Sequence, residues 1–207
     1  MTDRPTQQGR KYDLDRTTAF SDGVFAIAIT LLVLNVEIGT DEPDLGEALG
    51  DLIPQIFSYA ISFAVIGRYW VLHHRLFGDL SYVDGPLTSM NLVYLAFVGF
   101  LPFPTEVLGE YGDEPHAVAL YAANTAIVAV LGVVMRVYSI HHGLWAGGED
   151  EREHRREVAL AYLAIPAVFL LSIPIAFLIA PWAGQLFWVT LLFVGPALNH
   201  FSHTDDG

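Results

Sequence analysis

Three polar residues lie in the first turns of an otherwise apolar segment near the start of the chain. The segment RTTAFSDGVFAIAITLLVLNVEI carries Arg16, Ser21 and Asp22 near its beginning. An ionised side chain in hydrocarbon costs about 2.5–3.5 kcal/mol on insertion scales, so a segment that only anchored the chain would gain nothing from Asp22. We therefore expect Asp22 to be either a buried partner for Arg16 or a histidine, or a group with a direct functional role.

The segment has two different faces when its residues are drawn at 100° per residue on a helical wheel. One face is a narrow, mostly aliphatic stripe with a single hydroxyl group at its margin, and consists of Phe20, Ile27, Leu31 and Leu34, with Gly23 and Thr30 beside them. Ser21 and Asp22 lie away from this stripe. The stripe is suited to packing against lipid or another helix, whereas the other face can present polar groups to neighbouring helices.

The composition of the whole chain points to the lipid bilayer as its solvent. The 207 residues are 53% hydrophobic and only 16% charged, and the mean hydropathy is +0.43, whereas soluble domains are about 25% charged. The absence of cysteine excludes disulfides, thiol catalysis and cysteine-based metal sites. The formal net charge of −13 argues against a nucleic-acid partner, which would require a basic surface.

The long apolar runs predict an all-α, polytopic membrane protein, since about 20 consecutive apolar residues can cross a bilayer as a helix. We expect six transmembrane helices per subunit, at roughly 17–38, 46–77, 86–108, 115–142, 154–180 and 182–200. Residues 16–200 would form one membrane domain, between an N-terminal tail at 1–15 and a C-terminal tail at 201–207. Several prolines fall inside these spans, where they can kink a helix.

The charged residues predict the orientation of this layout. All ten lysines and arginines fall on one side of it: Arg4, Arg10, Lys11, Arg16, Arg68, Arg75, Arg136, Arg152, Arg155 and Arg156. The loops on the opposite side are acidic: Glu37, Asp41, Glu42, Asp44, Glu47 and Asp51 in one, and Glu106, Glu110, Asp113 and Glu114 in another. By the positive-inside rule, we expect a multi-pass protein of the cell membrane with both termini in the cytoplasm.

The histidines do not form a pattern typical of a metal centre. His73 and His74 are adjacent, so on a helix they point about 100° apart, and no H-E-x-x-H spacing is present. We therefore predict no bound metal, no cofactor and no enzymatic activity. The polar residues at membrane depth, Asn91, Tyr94 and Asn124, are expected to form hydrogen bonds between helices.

The polar residues of the first segment belong to a specific motif. Arg16, Phe20, Ser21 and Asp22 spell R-x-x-x-F-S-D, and A-I-x-x-T-L-L-x-L follows from Ala26 to Leu34. Together with YWVLHHRLF at 69–77, this resembles the transmembrane protein 175 family of potassium channels, in its single-repeat prokaryotic form. Neither those channels nor this sequence contains the T-V-G-Y-G filter of ordinary potassium channels.

The resemblance implies a homotetramer whose first helices line a central pore for K⁺. By similarity, Ile27 would form the narrowest hydrophobic ring, Leu31 and Leu34 further rings, and Thr30 a ring of hydroxyl groups. The residues that would hold this helix by hydrogen bonds between helices are those of the motif and three from the second span: Arg16, Phe20, Ser21, Asp22, Trp70, His73 and His74. A hydrophobic ring would gate by dewetting and would favour K⁺, because K⁺ gives up its water more easily than Na⁺ does.

Two other classes of function are also compatible with parts of the sequence. The first alternative is a proton-coupled secondary transporter that uses Asp22. Against this, transporters commonly contain paired repeats and interrupted helices, whereas the first span contains no proline and only Gly23 near its start. The second alternative is a membrane-embedded enzyme that uses the histidines, which lack a catalytic spacing.

Overall fold

The computed structural model describes residues 7–38, 44–146 and 163–190, and this part of the chain is helical with short connections. The α-helices in it are α1 Gln7–Leu31, α2 Leu45–Asp51, α3 Ile53–Gly78, α4 Gly85–Phe100, α5 Pro102–Glu110, α6 Pro115–His141, α7 Ala164–Leu178 and α8 Pro181–Phe187. Two short 3₁₀-helices, Leu32–Asn35 and Trp188–Thr190, follow α1 and α8. The expected all-α class is therefore confirmed for the described residues.

Four helical segments are long and apolar enough to cross a membrane: Asp13–Asn35, Ile53–Gly78, Gly85–Glu110 and Pro115–His141. They correspond to the first four predicted spans. The fifth predicted span contains α7, which is apolar but has only 15 residues, and the sixth contains α8. Residues 154–162 and 191–200 of these two spans lie outside the described residues, as do 1–6 and 201–207 of the predicted tails, so the six-span layout stays a prediction.

Proline divides two of the predicted spans. The third consists of α4 and α5, which are separated at Leu101 because Pro102 has no N–H to donate within a continuing helix and restricts the residue before it. The second was expected to begin at 46, but α3 begins at Ile53, after a break at Leu52. Pro54 lies in the first turn of α3, where the missing donor is tolerated.

The end of the first helix also differs from the expected regular span over 17–38. The α1 helix begins earlier, at Gln7, and ends at Leu31, and the chain continues as a 3₁₀-helix to Asn35. The side chain of Asn35 donates from Nδ2 to the carbonyl oxygen of Pro102 at 2.7 Å. This bond attaches the end of the first segment to the start of α5.

The core between the helices combines apolar packing with buried hydroxyl groups. Tyr69 of α3 donates from its hydroxyl to the Thr125 carbonyl oxygen of α6 at 2.8 Å. The expected interhelical bonds of Tyr94 and Asn124 are confirmed: they donate to the carbonyl oxygens of Tyr69 at 3.5 Å and Phe97 at 3.2 Å. Such bonds satisfy polar groups where the bilayer offers no water, and they hold α3, α4 and α6 together as the support for α1.

Candidate functional site

The α1 helix packs against α3 and α4 through one of its faces. Ser21, Phe25, Ala28 and Leu32 are all buried, and their spacing of four, three and four residues places them on one side of the helix. The opposite side is largely exposed in the single chain. The two-faced character predicted from the sequence is therefore present in α1.

Ser21 belongs to a chain of hydrogen bonds that joins α1, α4 and α3. Its hydroxyl donates to the Thr17 carbonyl oxygen at 2.8 Å and accepts from Asn91 Nδ2 at 3.0 Å. The amide oxygen of Asn91 lies 2.8 Å from His73 Nε2. Because an amide oxygen can only accept, His73 is the donor at Nε2. In this series of hydrogen bonds, every donor consequently points in the same direction, from α3 through α4 to α1.

The ring of His73 is held by aromatic neighbours as well as by this bond. It stacks on Phe77 with ring centroids 4.2 Å apart and on Tyr94 at 5.5 Å, and Phe25 of α1 lies 5.5 Å away on a tilted plane. The side chain is 2% exposed. His73 is therefore fixed in place, and α1 contributes to fixing it.

Asp22 has a separate partner on α3. Trp70 donates from Nε1 to Asp22 Oδ1 at 2.9 Å, and His74 stacks on the Trp70 ring at 5.5 Å. Since an indole has one donor and no acceptor, this bond requires an acceptor such as the carboxylate. Asp22 is partly buried and Trp70 is 40% exposed, so the pair lies at the margin of the single chain.

The other two motif residues lie elsewhere. Arg16 is exposed, about one turn before Phe20, and the Phe20 side chain is 56% exposed on the side of the predicted stripe. Phe20 was expected to help hold the helix by hydrogen bonds, but its side chain has no polar atoms and cannot form them. The structure thus brings together Ser21, Asp22 and His73 with Trp70.

Asn91 is the member of this network that the sequence did not assign to it. We expected Asn91 to bond between helices, and that is confirmed, but nothing in the sequence connected it to Ser21 or His73. The available signal was a lone amide at membrane depth in the third span. An amide has both a donor and an acceptor, so it can bridge two other polar groups.

The residues of the predicted pore stripe are exposed in the single chain. Ile27 is 61% exposed, Leu31 40% and Leu34 64%. The hydroxyl of Thr30, also exposed, lies 3.0 Å from the Ala26 carbonyl oxygen and 2.9 Å from that of Ile27. The proton of this hydroxyl is therefore used by the helix itself, while its oxygen lone pairs remain able to accept.

The 3₁₀ turn changes the direction of Leu34 from that expected for a regular α-helix. In an α-helix, Leu34 would lie about 60° around the axis from Leu31, because three residues turn the chain by about 300°. In a 3₁₀-helix, residues three apart are nearly eclipsed. Since the chain from Leu32 to Asn35 is 3₁₀, Leu34 extends the line of Leu31 more directly than the wheel predicted.

Comparisons of the sequence with known proteins find a matching family model and several similar channel proteins. The family model described as "Endosomal/lysosomal potassium channel TMEM175" matches residues 16–102. A relative named "potassium channel" from Streptomyces collinus is 45% identical over 117 residues, which cover 56% of this chain and 57% of that protein. Another relative of that name, from Chamaesiphon minutus, is 32% identical over 93% of this chain and 97% of its own length. The chain covers only 38% of a chicken (Gallus gallus) relative named "Endosomal/lysosomal proton channel TMEM175", with 25% identity.

Solved structures have the same fold. The crystal structure of a "lysosomal potassium-selective channel TMEM175 homolog" from Chamaesiphon minutus has a TM-score of 0.79, 28% identity, and covers 91% of this chain and 99% of its own. The potassium channel MtTMEM175 has a TM-score of 0.61 with 23% identity and supports the fold alone. With its apolar helices, its near full-length relative and its fold, this chain is a multi-pass membrane protein that belongs to the TMEM175 family.

Proposed function

We propose that this chain is the subunit of a potassium-selective channel of the cell membrane, in which four copies surround a central pore lined by α1. The observation that carries the proposal is the exposed stripe of Ile27, Leu31 and Leu34 on the face of α1 that points away from its own α3 and α4. The names of the bacterial relatives, both "potassium channel", support the choice of ion. Six spans and cytoplasmic termini are part of the same proposal.

Selection in this channel depends on the cost of removing water from the ion. A ring of four Ile27 side chains offers no ligand, so a cation must lose part of its hydration shell to pass, and dewetting closes the ring when it narrows. K⁺ loses water at a lower cost than Na⁺. Thr30 lies three residues further along the helix, and its oxygen lone pairs can replace part of the lost water, because its proton is donated to the backbone.

The hydrogen-bonded face of α1 keeps the pore helix in position. Ser21 and Asp22 attach it to α4 and α3, so the radius at Ile27 depends on where these bonds hold the helix. Exposed carboxylates beyond the other end of the stripe, such as Glu37 and Asp44, attract cations over a distance of about 10 Å at 0.1 M salt.

The proposal is tested with the purified chain in liposomes under an outward K⁺ gradient, with matched vesicles that contain Na⁺. We expect K⁺ efflux well above that of protein-free vesicles and above the Na⁺ efflux. Equal K⁺ and Na⁺ efflux would contradict selectivity, and no efflux of either ion would contradict the channel.

The alternative function is a proton-coupled transporter that uses Asp22, and the chicken relative named "proton channel" makes proton movement a specific question. The same liposomes, with a pH-sensitive dye inside, distinguish the two. A channel passes K⁺ without any proton gradient, whereas K⁺ flux that stops when the proton gradient is removed, and that is lost in Asp22→Asn, would establish the transporter.

A further inference from the structure

A small cavity lies where α3, α4, α6 and α7 meet. Its volume is about 40 Å³, and its walls include Tyr69, His73, Tyr94, Gly132 and Arg136. One water molecule needs about 10–15 Å³ of such space, whereas a cavity that takes up benzene measures about 150 Å³. The cavity is therefore large enough for about one to three water molecules and too small for an organic ligand of the size of benzene.

The Nδ1 atom of His73 requires a hydrogen-bond donor. His73 donates from Nε2 to the Asn91 amide oxygen, and a neutral imidazole that carries its proton on Nε2 accepts at Nδ1. The side chain is 2% exposed, and Nδ1 has no hydrogen-bond partner among the described residues. Because a buried acceptor without a donor is costly and His73 lines the cavity, a donor within the cavity would satisfy this atom.

A second polar contact at the wall of the cavity is long. The hydroxyl oxygen of Tyr94 lies 3.5 Å from the Tyr69 carbonyl oxygen, whereas O–H···O bonds usually measure about 2.5–3.0 Å. Tyr69 lies one helical turn before His73 on α3. A separation of this length leaves both groups able to bond to a bridging water molecule.

We propose that this cavity is a water-binding site, in which one water molecule donates to His73 Nδ1 and accepts from the Tyr94 hydroxyl group. Its second proton is donated to the Tyr69 carbonyl oxygen, which gives this water about the three hydrogen bonds that buried water usually makes. Arg136 also lines the cavity, and its N–H groups are donors for a second water molecule. A lipid tail has no donor and could not take this place.

This water has a defined role in the network that attaches α1. It is the first donor in the series of hydrogen bonds that continues from His73 through Asn91 to Ser21. A donor at Nδ1 also keeps the proton of the neutral ring on Nε2, which is the form of His73 that can donate to Asn91. The water therefore stabilises the tautomer on which the bond to α4 depends.

The experiment is hydroxyl-radical labelling of the full-length protein in lipid nanodiscs, followed by mass spectrometry of its peptides. X-ray pulses form the radicals from water molecules in place, so buried side chains beside a bound water are oxidised. Tyr94 and Tyr121 form a matched pair, because they are 2% and 0% exposed but only Tyr94 of the two lines the cavity. We expect Tyr94 to be oxidised several times faster than Tyr121.

The variant Gly132→Ala reduces the space for water without forcing the helices apart. A Cβ atom at Gly132 would lie 3.6 Å from Tyr94 Cε2, which is an ordinary van der Waals distance, so the new methyl group occupies part of the cavity. We expect the oxidation of Tyr94 to fall severalfold in this variant. Gly99→Ala is the control, because its Cβ meets nothing within 4 Å, and it should leave the oxidation of Tyr94 unaltered.

Two results would overturn the proposal. One is equally slow oxidation of Tyr94 and Tyr121 in the unchanged protein, which would show a cavity that is dry or filled by an apolar group. The other is unaltered oxidation of Tyr94 in a folded Gly132→Ala variant, which would place the water elsewhere. If Gly132→Ala does not fold, the comparison of Tyr94 with Tyr121 decides the question. Neither measurement depends on ion flux, so the water site and the proposed channel can fail separately.

Discussion

At the scale of single residues, the motif combines side chains with different surroundings. Ser21 is completely buried and Asp22 partly buried, yet Phe20, their immediate neighbour, is mostly exposed. Residues one apart on a helix point about 100° from each other, so three consecutive positions can reach three environments. Ser21 and Asp22 attach α1 to its neighbouring helices, and Phe20 lies beside the predicted pore lining.

The contribution of the buried network can be measured with Ser21→Ala. This change removes the acceptor of Asn91 Nδ2, which is then buried without its partner, and we expect it to lower the free energy of unfolding by about 1–2 kcal/mol. The measurement is unfolding in mixed micelles followed by circular dichroism. Ser89→Ala is the matched control, because Ser89 is exposed and donates only to the Gly85 carbonyl oxygen of its own helix. Equal effects of the two changes would contradict the role of the network.

The predicted constriction can be tested with Ile27→Ala. A smaller side chain widens the proposed ring, so less water must be removed from the ion. We expect the K⁺ flux in liposomes to rise severalfold and the preference for K⁺ over Na⁺ to fall. Ile127→Ala changes the same side chain at another exposed position, on α6, and should leave both quantities unaltered. An Ile27→Ala variant with unaltered flux and selectivity would exclude Ile27 as the narrowest ring.

At the scale of the helices, hydrophobicity predicted where the spans lie, but not where they break. The run from 86 to 108 is mostly apolar, and hydropathy alone does not distinguish Pro102 from Pro104 as the proline at which the helix breaks. The break depends on Pro102 together with the packing of α5 on α3. The 3₁₀ turn after Leu31 could not be predicted from a helical wheel either, because a wheel assumes a regular α-helix. This turn depends on contacts such as that of Asn35 with Pro102.

The packing of α5 on α3 depends on a glycine. A Cβ atom at Gly109 would lie 2.8 Å from Ser58 Oγ and 3.3 Å from Gln55 Cα, so Gly109→Ala should force the helices apart and lower the free energy of unfolding by about 1–3 kcal/mol. Gly99→Ala, in the same span, meets nothing within 4 Å. The control should unfold at the same denaturant concentration or a higher one, because alanine is the better helix former. A Gly109→Ala variant as stable as this control would show that α5 is free to shift.

At the scale of the whole molecule, the proposed pore needs more than one copy of the chain. In the motif on which the sequence was most specific, Ser21 and Asp22 have partners within the chain. The stripe of Ile27 and Leu34 is more than half exposed, and an exposed apolar side chain in a membrane protein is equally compatible with lipid and with a pore. Its assignment therefore depends on the number of copies in the assembly.

The number of copies is a direct prediction. We expect the protein assembly, extracted without detergent, to have a measured molecular mass four times the 22.8 kDa of one chain. Asp22→Ala should reduce the yield of this assembly more than it alters selectivity, because Asp22 holds α1 through Trp70. A dimer or a monomer of the unchanged protein would contradict the central pore.

The division of α1 into an attached side and an open side also affects how freely the chain can vary. Ile27 and Leu31 take no part in the hydrogen bonds of Ser21 and Asp22, so in the proposed channel a substitution at Ile27 or Leu31 would change the width of the pore while α1 stays attached to α3 and α4. Under the proposed function, exchanging these few aliphatic side chains would change which ions pass, without any change in the helices that support α1.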